Sequence, residues 1–139
     1  MSTVIPESHR DLIEGPIFVT LSTVMANGQP QSSVVWCSYD GRHILVNTAR
    51  GRLKEKNMRA RPLATILAMD PKNPYRYLEV RGTVEEITEE GGIEHINQLA
   101  QLYANAQKYY GDFAPAEREG QETRIICKIK PIRVVARGG

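Results

Sequence analysis

Apolar and polar residues alternate along most of this chain, in short runs closed by turn residues. Residues 17–24 form a β-rich run ahead of Asn27-Gly28, the strongest short hairpin signal a sequence carries. A second run, 31–39, holds Val34, Val35 and Trp36 and stops at Asp40-Gly41, and a third covers 43–48. Three strands joined by two tight turns predict an antiparallel meander. The period changes over 52–60, where Leu53, Asn57 and Ala60 share one helical face and Arg52, Lys56 and Arg59 another. Arg61-Pro62 closes that helix, because a residue before proline is pushed out of the α region. Residues 63–69 predict a fourth strand and 70–74 a polar link. A long fifth strand over 75–87 puts Leu78, Val80 and Val84 on one face.

A short helix over 8–14, stopped by Gly15-Pro16, is expected ahead of the first strand. Thr88 is the expected cap of a third helix, with Glu89 and Glu90 suited to its positive end. In that helix Ile93, Ile96, Leu99, Ala100 and Tyr103 make a core-packing stripe. Residues 105–121 are weakly periodic and read as a partly helical loop, with no assigned role beyond that of a lid. Residues 124–130 predict the last strand, and Pro131 should demote the residues after it to an edge or tail. Six strands and three helices without a βαβ rhythm make a mainly β chain whose natural closure is a small antiparallel barrel. At 139 residues it is expected to form a single domain over 1–139.

Composition narrows the function more than the fold. Apolar residues make up 41% and charged residues 24%, as in ordinary globular domains. No stretch approaches the roughly 18 consecutive apolar residues of a membrane span. The first ten residues lack a secretory pattern, so a cytoplasmic protein is expected. Cys37 and Cys127 lie in apolar strand-like runs without metal spacing and are expected as buried free thiols. His9, His43 and His95 are scattered, so no metal site is expected. There is no nucleophile elbow, triad or carboxylate pair, and no catalytic side chain is assigned. Hydride chemistry makes no such demand, because the cofactor carries the reactive atom.

The net charge of +2 is modest, but its placement is not. Residues 50–61 hold six basic side chains and one acid, and Arg50, Arg52 and Lys54 crowd the start of the helix. Exposed cations at that already positive end cost about 0.3–1 kcal/mol each. A bound anion would relieve the strain, since backbone N–H groups, dipole and side chains would all point at it. Arginine offers a planar fork for phosphate and lysine a point charge. A solvated basic face is the other reading. Single-stranded nucleic acid is a third, opposed by the lack of any aromatic within 50–61 on which bases could stack.

The pattern Arg52-x-Lys54-x-x-Asn57, with Arg61-Pro62 and a strand after it, has company in a fixed order. Leu21-Ser22-Thr23 with Asn27-Gly28-Gln29-Pro30-Gln31, Val34-Val35-Trp36, Ile44 to Thr48, and Tyr77 to Gly82 complete the set. Together, over about residues 10–135, these motifs resemble the pyridoxamine-phosphate-oxidase-like split barrels, and within them the flavin- and deazaflavin-dependent (coenzyme F420) oxidoreductases. The resemblance implies a six-stranded antiparallel split β-barrel with flanking helices, working as a homodimer on a small unsaturated or quinone-like molecule, without nucleic acid or membrane. It implies that Arg52, Lys54 and Asn57 hold the cofactor phosphate, with Leu53 contributing backbone. Val34, Val35, Trp36, Asn47 and Thr48 would flank the ring, and a second subunit would close the pocket through Pro74, Tyr75, Arg76 and Tyr77, with Arg124 beside them. Coenzyme F420 is the implied cofactor, because the basic run exceeds what one monophosphate needs. FMN, in an enzyme or a flavin carrier, is the alternative. Read as residues alone, Trp36 could be core, Tyr75 and Tyr77 a dimer surface, Asn57 a loop anchor, and Glu79 with Arg81 an ion pair.

Overall fold

Two-residue alternation becomes seven strands in the computed structural model, which describes residues 3–138. They are β1 (Val19–Val24), β2 (Pro30–Val35), β3 (Cys37–Tyr39), β4 (Ile44–Ala49), β5 (Leu63–Asp70), β6 (Asn73–Thr88) and β7 (Arg124–Arg137). The helices are α1 (Asp11–Glu14), α2 (Leu53–Ala60), α3 (Gly92–Ala104) and the short α4 (Tyr109–Asp112). One curled antiparallel sheet runs in the order β2-β1-β5-β6-β7-β4-β3. Its concave side holds Leu21, Ile44, Val46, Ile66, Leu78, Val80, Ile125 and Ile129, closed at one end by Leu12 and Ile13 of α1. Cys37 and Cys127 are buried there as free thiols, each pushed up to about 12 by burial.

Seven strands rather than six follow from one break. The run 31–39 does not stay with a single neighbour: β2 pairs with β1, whereas β3 pairs with β4 at the opposite edge of the sheet. Trp36 is the residue between them, so the chain crosses the barrel mouth at its only tryptophan. The expected meander is therefore two hairpins joined at a corner. Their turns match the sequence: Gly28 has φ 88°, and the Asp40 carboxylate accepts from the N–H groups of Arg42 and His43.

Four further expectations are corrected. The leading helix over 8–14 is a 3-10 turn at Glu7–His9 followed by one turn of α1. The polar link 70–74 shrinks to a tight turn, because Asp70 already pairs with Asn73. Pro131 does not end the last strand; β7 continues to Arg137. Proline lacks the ladder donor, and the sheet absorbs it at a bulge, where Pro131 faces Gly82 and the register shifts between Arg81 and Gly82. Thr88 does not cap α3, which starts behind Gly91, and its hydroxyl instead accepts from the Glu90 N–H. Glu79 and Arg81 form their ion pair at 3.0 Å. Among the described residues no helix is long and apolar enough to cross a membrane.

Candidate functional site

The corner at Trp36 makes one wall of a cavity of about 260 Å³. Trp36 stacks on Tyr103 with ring centroids 5.3 Å apart and meets the rings of Phe113 and Tyr109 edge-on, at 5.0 and 6.2 Å. Such contacts contribute about 0.5–1.5 kcal/mol each beyond burial, which fixes the indole plane. Tyr103 is anchored in turn, its hydroxyl accepting from the Cys37 N–H and lying 2.9 Å from the Ile17 carbonyl.

The floor is polar and comes from β4, β7 and α3. Arg124 is buried at the start of β7 and donates from Nε to Asn47 Oδ1 at 2.9 Å, with its guanidinium 5.0 Å above the Tyr109 ring. The Asn47 amide donates to the Gly92 carbonyl at 2.9 Å and to His95 Nδ1 at 3.1 Å. Burial, aided by the Arg124 charge, pushes His95 down to about 4, so the ring is neutral. With Nδ1 accepting, the proton sits on Nε2 and is donated to Ser38 Oγ at 2.9 Å. A Ser38–His95–Asn47–Arg124 chain thus orients the floor.

That arrangement carries a pH consequence. The unfolded histidine takes up its proton near 6.5, while the folded one resists down to about 4. Between those values the unfolded chain binds more protons, so this contribution to stability is full above 6.5 and is lost as pH falls towards 4. Melting temperatures measured across that window should fall less steeply for His95→Gln than for the parent; equal slopes would assign the acid sensitivity to other groups.

The basic helix start is less bare than its sequence implies. Glu55 lies fully buried beneath it, accepting from the Gly51 N–H at 2.8 Å, with Arg59 Nε at 3.0 Å and Arg50 Nη1 at 3.6 Å. Arg50 also meets Glu89 at 3.2 Å, and Arg52 meets Glu122 at 3.3 Å. Arg61 donates to the Val24 carbonyl and to Asn57 Oδ1. The crowding is therefore largely compensated within the chain, and relieving it does not require a bound anion. Apart from the exposed Lys56, Lys54 is the exception: half-buried in the cavity wall, it has no carboxylate partner among the described residues. Burial, then the charges of Arg52 and Arg124, lower its pKa. The start of α2 also lacks a side-chain cap.

The structure brings Val34, Val35, Trp36, Asn47, Thr48, Arg52, Lys54 and Arg124 to this one cavity. It does not bring the rest. Leu53 is exposed beside the cavity, and Asn57 is buried against β1, donating to Thr23 Oγ1 and Met25 Sδ, which makes it a packing anchor. Pro74 and Tyr77 border a different hollow on the outer face of the sheet, with Leu67, Met69 and Val135. Tyr75 is exposed, and Arg76 is committed within its own chain to Asp11 and Asp70, at 2.7 and 3.1 Å. Lining residues missed in the sequence are Phe18, Ile96, Leu99, Tyr109 and Phe113. The aromatic pair Tyr109 and Phe113, four apart in a segment without periodicity, was the available signal.

The donor set fits a phosphate-bearing ring. Thr48 Oγ1 is buried in the cavity wall without a hydrogen-bond partner among the described residues. Near it stand the unpaired Lys54, the uncapped helix start and the apolar rings around Trp36. No cluster of His, Cys, Asp and Glu among the described residues could hold a metal.

Comparison with known proteins agrees with the fold. The family model for pyridoxamine 5'-phosphate oxidase matches residues 5–137. A solved F420 reductase is 31% identical, with a TM-score of 0.79 over 94% of this chain and 98% of that one. A conserved hypothetical protein from Mycobacterium tuberculosis (22% identical, TM-score 0.71, 99% of this chain and 88% of that one) shares the fold. So does General Stress Protein 26 from Bacillus anthracis (21%, TM-score 0.64, 91% and 88%). No curated protein sequence matches the chain. With its curled antiparallel sheet, its helix-entrance cavity and a match over nearly its whole length, the chain belongs to the pyridoxamine 5'-phosphate oxidase family of flavin-type split barrels.

Proposed function

We propose that the chain is an oxidoreductase that holds coenzyme F420 and directs its hydride to a small unsaturated or quinone-like molecule. The observation that carries this reading is Lys54, a half-buried ammonium left without a counter-ion between Arg52 and Arg124. Lys54, Arg52 and the free N–H groups at the start of α2 would hold the phosphate. Thr48 Oγ1 and Asn47 would meet the ring edge, while Trp36, Tyr109 and Phe113 keep that side dry. When bound, the deazaflavin supplies a hydride-donating ring carbon, and the chain's own residues supply position and exclusion of water.

Two observations favour F420 over FMN. A solved F420 reductase is 31% identical over 94% of this chain. Exposed Lys56 adds positive charge on α2 beside Arg59, suiting the glutamate tail that FMN lacks. Titrating both ligands into one sample tests the reading. The deazaflavin should bind at least about tenfold more tightly, a difference of about 1.4 kcal/mol. A yellow protein as purified, with FMN absorbance and no affinity for the deazaflavin, would overturn it.

The homodimer belongs to the same proposal. Leu63, Leu67 and Met69 stand 55, 38 and 48% exposed in a row on the outer face of β5. Covering the half of each that is still exposed returns roughly 0.7–1.5 kcal/mol. That only approaches the roughly 4–15 kcal/mol that association costs, so Tyr75, Tyr77 and Val135 beside them must be covered as well. Sedimentation at micromolar concentration should give a dimer, and Leu67→Glu should dissociate it. A parent that sediments as a monomer would remove this part.

A further inference from the structure

Glu122 lies behind the cavity wall, and three groups converge on its carboxylate. The Tyr110 hydroxyl donates to Oε1 at 2.7 Å, Arg124 Nη1 donates to the same oxygen at 3.4 Å, and Arg52 Nη2 lies 3.3 Å from Oε2. Arg52, Lys54 and Arg124 are the cations lining the cavity, so two of the three share one fixed negative charge. Nothing in the sequence near α2 announces it: Glu122 is 70 residues from Arg52.

We propose that Glu122 is a specificity-determining residue of the anion site, whose fixed charge penalises the second negative charge of a phosphomonoester and so favours a phosphodiester. The inference rests on the flavin-type reading above. Its physics is Coulombic, because repulsion between carboxylate and phosphate grows in proportion to the phosphate's charge. A diester such as that of the deazaflavin carries one charge throughout the neutral range. A monoester such as FMN approaches two once its second proton is lost, near pH about 6.

The groups around Glu122 hold their charge through that transition. Burial raises Glu122, but the Tyr110 hydroxyl, Arg52 and Arg124 outweigh it and hold the carboxyl below its ordinary value. Burial and Glu122 push Tyr110 up to about 12, and His95 sits at about 4. Lys54 faces the same cavity in parent and variant, so its titration cancels in the ratio of their affinities.

Glu122→Gln keeps the shape and an acceptor for Tyr110 while removing the charge. Binding of FMN and of coenzyme F420 is measured for parent and variant at pH 5 and pH 8. For FMN the variant should gain about threefold at pH 5 and about tenfold at pH 8, since doubling the ligand charge squares the factor. For the deazaflavin the gain should stay at about threefold throughout, its phosphodiester charge being constant. Glu122→Ser should reproduce the pattern, and Tyr110→Phe, which keeps the carboxylate, should not. An FMN gain that is equal at both pH values, or absent, overturns the role of Glu122 while the parent's own binding leaves the cofactor reading standing. A pH-dependent gain in Tyr110→Phe would also overturn it, by tracing the effect to a loosened segment. A parent that binds neither ligand removes both readings.

Discussion

Replacing Arg52 and Lys54 together by alanine should weaken cofactor binding about tenfold or more while leaving the fold intact. Hydrogen bonds to charged groups contribute about 1.5–3 kcal/mol each, and about 1.4 kcal/mol is a factor of ten. The two side chains should not contribute equally. Arg52 already shares its charge with Glu122, whereas Lys54 has nothing to give up. Single variants should therefore rank Lys54→Ala as the more damaging. Stability should move the other way. Removing a half-buried cation that stands beside Arg52 and Arg124 relieves repulsion and orphans no carboxylate, so the melting temperature should hold or rise. Isothermal titration of the double variant decides it, and an unchanged affinity would place the phosphate elsewhere.

Gly82→Ala should strongly destabilise the sheet. A Cβ at Gly82 would lie 2.5 Å from Ile129 Cγ2 and 2.7 Å from the Lys130 carbonyl oxygen. The isoleucine can rotate away; the main-chain oxygen moves only if β6 and β7 part. They would part at the bulge that accommodates Pro131, where the register is already shifted. Forcing atoms into a packed site costs about 1–3 kcal/mol, and the backbone contact sets the expectation at the upper end. Thermal unfolding should show a fall of several degrees, while Thr83→Ala next to it, with no such contact, should change little. An unchanged melting temperature for Gly82→Ala would mean that the strands separate there freely.

Much of the sheet was legible because it is locally written. β1, β5 and the middle of β6 bury alternate residues, as the apolar alternation requires. The glycine of Asn27-Gly28 takes the positive φ of 88° that its turn demands. The site was legible in part for the same reason. Trp36, Asn47, Thr48, Arg52, Lys54 and Arg124 stand at strand ends or a helix start, where a barrel mouth gathers its residues. Asn57 lies outside the cavity, a placement its spacing could not reveal, because that spacing within α2 is the same whether its amide faces a ligand or Thr23.

The sequence by itself determined the strands, the hairpin turns and a helix that begins among cations. Each depends on residues a few positions apart, and the backbone responds to those neighbours directly. Tertiary structure alone decided that the run through Trp36 divides between two sheet edges, that β7 passes Pro131, and which cations keep their charge uncompensated. The partners responsible lie far along the chain: Glu89 is 39 residues from Arg50, and Glu122 is 70 from Arg52. Charges act through space, so whether Lys54 is left unpaired is settled only when the barrel closes and brings those acids to the other arginines.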